Sequence, residues 1–155
     1  MTRIIAKACV VTSTQPVLQK LLHTFREQGF PFQNIAGGLI VCPLSIEEGN
    51  IKVQLWITNP KADYYRAGCN LYYQGSSYAL FLYETRDDPS FHRVMECYKD
   101  FRQFSAREDS PVVFLGLNSE IDDFSQIKFI LSHMAVILSS RQKVYRKKNY
   151  IRHSE

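Results

Sequence analysis

The sequence predicts one α/β domain built on a mostly parallel sheet with helices on both faces. Three observations predict it. Short apolar runs rich in β-branched residues alternate along the chain with segments whose apolar residues recur every three to four positions. One pair of apolar runs flanks Glu48-Gly49-Asn50, where Gly and Asn tolerate the positive φ of a tight reversal, so an antiparallel hairpin joins the sheet. The chain's 155 residues, 45% hydrophobic and 22% charged, can bury a core that needs no disulfide or metal.

Ile4–Val11 (IIAKACVV) is apolar and β-branched at its ends, as a strand buried on both faces should be. Thr12–Pro16 is a polar break. Val17–Gln28 carries apolar residues at 17, 18, 21, 22 and 25, a helical stripe that Gly29 terminates. Phe30–Gly38, with Pro31 and Gly37-Gly38, reads as a loop. Leu39–Ile46 and Ile51–Ile57 are the hairpin strands, the second with the alternation of a half-buried strand. Thr58–Gln74 is irregular and tyrosine-rich. Tyr78–Tyr83 (YALFLY) is a further buried strand. Asp88–Phe104 is a helix with Phe91, Val94, Met95, Tyr98 and Phe101 on one face, Asp88 as its cap and Pro89 in its first turn. Val112–Leu117 is a strand, Asp123–Met134 a short helix, Ala135–Leu138 a short sixth strand, and Arg141–Ile151 a basic helix or tail.

Charge divides the chain into a body, 1–140, and a C-terminal segment, 141–155. The segment holds six Lys and Arg against Glu155 alone, whereas the body carries 13 basic and 14 acidic groups. A nearly neutral body argues against a nucleic-acid-binding face. Cys9, Cys42, Cys69 and Cys97 form no CxxC pair and read as free thiols in a reducing cytoplasm. His23, His92, His133 and His153 fall in separate elements and build no catalytic triad or metal cluster. No signal peptide, membrane-length apolar run or terminal prenylation cysteine is expected.

Local motifs resemble those of the Ras superfamily, especially Rab-type small GTPases. Lys52–Thr58 (KVQLWIT) is similar to KLQIWDT, Tyr72–Gly75 (YYQG) to YYRG, and Ala79–Glu84 (ALFLYE) to ALLVYD. Thr85–Phe91 (TRDDPSF) resembles TDxxSF, Val112–Glu120 (VVFLGLNSE) the strand ending in GNKxD, and Ser139-Ser140-Arg141 the SAK loop. The resemblance runs through nearly the whole chain in order, strongest from Lys52 to Glu120. It implies a Ras-like, P-loop NTPase-type fold with a central mixed sheet of about six strands.

The same resemblance puts the chemistry in question. A phosphate loop needs G-x-x-x-x-G-K-[ST], because its glycines let backbone N–H groups turn inward. Those positions hold Thr12, Val17, Leu18 and Gln19, and Pro16 removes one N–H. The family's magnesium-holding WDTAG reads Trp56-Ile57-Thr58-Asn59-Pro60, with Lys61 at the water-positioning glutamine and Ile35 beside Asn34 near the switch threonine. NKxD reads Leu117-Asn118-Ser119-Glu120, which keeps a carboxylate and loses a polar side chain. Each unsatisfied group costs about 1–3 kcal/mol. Lys20 lies on another side of its helix from the lysine slot.

These replacements predict a non-catalytic pseudo-GTPase: no enzyme activity, no nucleotide or metal cofactor, no small-molecule substrate, and a scaffold or adaptor role in a larger complex. Val17, Leu18 and Ile57 are expected to fill the phosphate and metal space. Partner contacts are expected from Trp56, Lys61, Tyr64, Tyr65 and Arg66, aromatic or charged groups beside a rigid sheet. Two alternatives stay open. One is weak, magnesium-independent guanine nucleotide binding. The other is a weak membrane or nucleic-acid association through the basic tail.

Overall fold

The computed structural model describes residues 4–105 and 107–154, with side-chain environments for 5–105 and 107–140. The elements run β1 (Ile4–Thr12), α1 (Gln15–Glu27), β2 (Gln33–Ile35), β3 (Leu39–Ile46), β4 (Ile51–Thr58), α2 (Asp63–Tyr73), β5 (Tyr78–Glu84), α3 (Asp88–Phe104), β6 (Val112–Leu117) and α4 (Ile127–Ser154). The strands form one sheet in the order β2-β3-β4-β1-β5-β6. The β4-β1, β1-β5 and β5-β6 pairs are parallel, and the two pairs made by β3 are antiparallel. The predicted mixed, mostly parallel six-stranded sheet is therefore present.

Alternation along β1 divides the core. Ala6, Ala8 and Val10 face a layer containing α1 and α4, and Cys9 and Val11 face one containing α2 and α3. Ala8–Val11 and Tyr78–Leu82 have no exposed surface, because the central strands are covered on both sides. On α1, Val17, Leu21 and Phe25 recur every four residues and are all but fully buried. Thr14 caps that helix by accepting the Val17 N–H, and Pro16 sits in its first turn, where a missing N–H costs nothing. The hairpin between β3 and β4 turns through Gly49 (φ 98°) and Asn50 (φ 52°).

Several sequence expectations are corrected. The loop at Phe30–Gly38 contains β2, an edge strand of 3 residues, all exposed. Thr58–Gln74 is largely α2, a helix kinked at Gly68. The expected strand Ala135–Leu138 is the middle of α4, which starts at Ile127 and turns Leu131, Met134 and Ala135 onto the sheet. Ser139 and Ser140 consequently lie within this helix rather than in a loop, and it continues unbroken across 140–141. The basic side chains of 141–155 lie outside the described environments. Asp87, rather than Asp88, occupies the N-cap position of α3, without a side-chain capping bond. The buried face of α3 is Ser90, Val94, Cys97 and Phe101, rotated from the predicted one, while Phe91 packs edge-on against Tyr83 at the margin.

The α2–α3 layer is aromatic. Phe101 is fully buried, with ring contacts to Tyr73 at 5.7 Å and Phe81 at 6.2 Å. Truncating it opens a cavity that rigid strands cannot close. Phe101→Ala is expected to lower the unfolding free energy by about 3–5 kcal/mol in urea titrations, with the slope unchanged.

Candidate functional site

The turn between β1 and α1 is the first place to look for a phosphate cradle, and most of its polar groups are committed, the Thr14 and Gln15 N–H groups excepted. The Ser13 N–H donates to the Leu82 carbonyl at 2.9 Å. Thr12 Oγ1 donates to the Thr58 carbonyl at 3.2 Å, and Ser13 Oγ bonds Ser90 Oγ, which accepts the Glu84 N–H. The helix begins at Gln15. The Val17 N–H goes to Thr14 Oγ1 and the Leu18 N–H to the Thr14 carbonyl. None of residues 12–19 has a positive φ, the geometry with which a glycine loop turns successive N–H groups inward.

Val17 and Ile57 lie in the core with no exposed surface, as expected from their types. Leu18 does not fill the space before it. A cleft of about 850 Å³ remains between α1, the β2–β3 hairpin and the β4–α2 loop, with Leu18, Gln19, Asn59 and Lys61 on its walls. The expectation of a filled pocket is corrected accordingly. No Asp or Glu lines the cleft, so the donor set does not fit a hydrated magnesium ion, which is held through carboxylates. Among the described residues no three or more His, Cys, Asp and Glu side chains converge on a metal position.

The loop after β6 is closed on itself. Leu117 is buried; Asn118 Oδ1 accepts the Glu120 N–H at 3.0 Å, and the Asn118 N–H donates to Asp122 Oδ2 at 2.7 Å. Glu120 is paired with Arg86 at 3.1 Å. Glu84 accepts the Ser119 N–H on both oxygens, at 3.3 and 3.2 Å. Desolvation raises its pKa, but the bonds from Ser119 and Arg86 outweigh that and hold it below the usual carboxylate range. Lys20 donates to the Asp122 carbonyl and lies over the Phe124 ring at 4.9 Å, binding this loop to α1.

The segments on either side of β3 and β4 are locked together. The Tyr64 N–H, an orphan donor of the first turn of α2, is met by the Gly37 carbonyl at 2.8 Å, and Thr58 Oγ1 donates to the Gly38 carbonyl at 3.2 Å. Gly38 has φ +87°, and a Cβ there would stand 2.8 Å from Ala62 Cβ.

Of the predicted partner contacts, Lys61 and Arg66 are exposed and Trp56 and Tyr64 half-buried. Trp56 donates its indole N–H to Gln54 Oε1 at 2.9 Å, under a Lys7 ammonium 3.7 Å from its ring centre. Tyr65 is corrected: it is buried, with its hydroxyl donating to Asp100 Oδ2 at 2.9 Å and 3.0 Å from the Tyr73 hydroxyl. It is a packing residue because the segment is helical and turns it toward α3. The sequence reading missed Asn59 and Arg93 as cleft residues; their approach depends on α2 and α3 docking, which no local pattern encodes.

Two stability measurements follow. Gly38→Ala is expected to cost about 1–3 kcal/mol through backbone strain alone, read by thermal melting. Tyr65→Ala is expected to cost about 3–5 kcal/mol, and Tyr65→Phe only about 1–2 kcal/mol, read by denaturant unfolding.

The comparisons with known proteins fit this architecture. The family model described as Ras family matches residues 19–153. The Ras-related protein Rab-11B of Dictyostelium discoideum is 30% identical over 84 residues, covering 54% of this chain and 37% of that protein. The chain thus spans little more than a third of the length of this curated relative. With a mixed sheet between two helical layers and a family match over most of its length, the chain belongs to the Ras family.

Proposed function

We propose that this Ras-family chain does not bind guanine nucleotide and acts as a protein-interaction module, a scaffold or adaptor within a larger assembly. The observation that carries the reading is the β1–α1 turn, where the helix starts at Gln15 and the N–H groups of Ser13, Val17 and Leu18 are bonded within the protein. Only the Thr14 and Gln15 N–H groups are left over, and with no positive-φ residue in the turn they form no inward-turned cradle for a phosphate. Three further observations support it. The family match begins at residue 19, after that turn. The loop Leu117–Glu120 spends its polar groups internally. The segment resembling the SAK loop lies inside α4.

What remains available is surface. Trp56, Lys61, Tyr64 and Arg66 sit around the end of β4 and the start of α2, a rigid edge of the kind partners use. Four free thiols fit a reducing intracellular setting. Among the described residues no helix is long and apolar enough to cross a membrane.

Titration calorimetry of the full chain with GTP and GDP, each with and without magnesium, tests the reading. The expected result is no binding tighter than about 10 µM, equivalent to about 7 kcal/mol. Tighter binding of either nucleotide would overturn it in favour of an atypical nucleotide-binding member of the family.

A further inference from the structure

We propose that the cleft between α1, the β2–β3 hairpin and the β4–α2 loop seats an acidic segment of a partner protein, whose carboxylates pair with Lys61 and Arg93. The inference rests on the reading of this chain as an interaction module and names the chemistry of what it holds.

Charge is the first argument. Three cations, Arg26, Lys61 and Arg93, line the cleft and no Asp or Glu does, although the body of the chain carries slightly more acidic than basic groups. Arg26 stacks over Phe32 at 5.4 Å. The side chains of Lys61 and Arg93 have no hydrogen bond or ion pair among the described residues. Elsewhere several cations are engaged, Arg86 with Glu84 and Glu120, Lys99 with Glu96, and Arg102 with the Glu108 and Ser110 carbonyls, while Lys52 and Arg66 stand singly on the exposed surface. Two uncommitted cations in one concavity focus a positive potential on it.

A second, independent observation is Asn59. It is only 8% exposed and lines the cleft. Its Oδ1 accepts the Lys61 N–H at 2.9 Å, which fixes the amide's orientation. Its Nδ2 is then a donor with no protein partner among the described residues, placed to meet an incoming acceptor. The walls supply the rest. Leu18, Phe32, Ile35 and Ile40 give the cleft an apolar side, and its volume of about 850 Å³ lies within the range of sites that enclose a ligand. Mixed apolar walls and cations from separate elements suit carboxylates spaced by aliphatic side chains. A phosphate would instead ask for a nest of clustered backbone donors, and the β1–α1 turn has no positive-φ residue with which to form one. A concave site is also a poor match for a membrane surface.

The test uses fluorescence anisotropy of the full chain with a labelled peptide of alternating glutamate and leucine, and its counterpart with glutamine for glutamate. The glutamate peptide is expected to bind, to weaken in about 0.5 M salt, and to lose at least about tenfold in affinity in Lys61→Glu/Arg93→Glu. The neutral Lys61→Gln/Arg93→Gln pair, with melting curves for each variant, guards against loss of fold. Lys99→Glu on the exposed flank of α3 is expected to bind like the original chain. Absence of glutamate-peptide binding, equal binding of the glutamine peptide, or wild-type affinity in both double variants overturns the inference. If GTP displaces the peptide at about 10 µM or less, the non-nucleotide reading fails with it. If the peptide fails and GTP does not bind, only this inference falls.

Discussion

A phenol hydroxyl buried without a partner costs about 1–3 kcal/mol, and this domain buries three of them beneath one helix: Tyr65, Tyr72 and Tyr73. Satisfying them constrains much of the α2–α3 layer. The Tyr72 hydroxyl sits between the Val10 and Trp56 carbonyls of adjoining strands, 3.1 Å from the first. The Tyr65 proton goes to Asp100, so the Tyr73 hydroxyl donates in turn to Tyr65. Burial raises the pKa of all three phenols, so they remain neutral donors. With α2 held in this way, the β4–α2 loop, the Gly37-Gly38 turn and one wall of the cleft follow. In switching members of such folds, the equivalent segments are ordered by a bound γ-phosphate and its metal. Here side chains already provide an anchor.

Periodicity disclosed most of the sheet. β3, α3 and β6 have the bounds read from their patterns, and β1, β4 and β5 differ by a single residue at one end. These are apolar stretches between clear breaks, for which local pattern and tertiary burial agree. α2 escaped because DYYRAGCNLYY presents tyrosine on several sides and breaks helical geometry at Gly68. β2 escaped because three exposed residues carry no alternation. Ala135–Leu138 misled because four apolar residues fit a strand or a buried helix equally; only docking of Leu131, Met134 and Ala135 on the sheet decides.

The candidate site was legible in part. Replacement of glycine and lysine by Val17 and Leu18 could be read directly, because those residue types cannot cradle phosphate. The cleft in front of Leu18 could not. It arises where α1, a hairpin, a loop and Arg93 of α3 meet, residues separated by up to 80 positions. Tyr65 shows the same limit. An aromatic residue in a segment read as loop suits either a surface anchor or a core contact, and the helical register alone distinguishes them.

The free thiols give the fold a built-in record of its own opening. Cys42 on β3 is buried in the α1–α4 layer, Cys9 on β1 and Cys97 on α3 in the α2–α3 layer, and desolvation pushes each thiol up to about 11. A thiol reacts as its thiolate, so each is nearly inert while covered and regains ordinary reactivity when its surroundings part. Alkylation at each position would then proceed at a pace set by the free energy of exposing that layer. Cys69, half-exposed on α2, stands outside this series as the position that reports the surface rather than the interior.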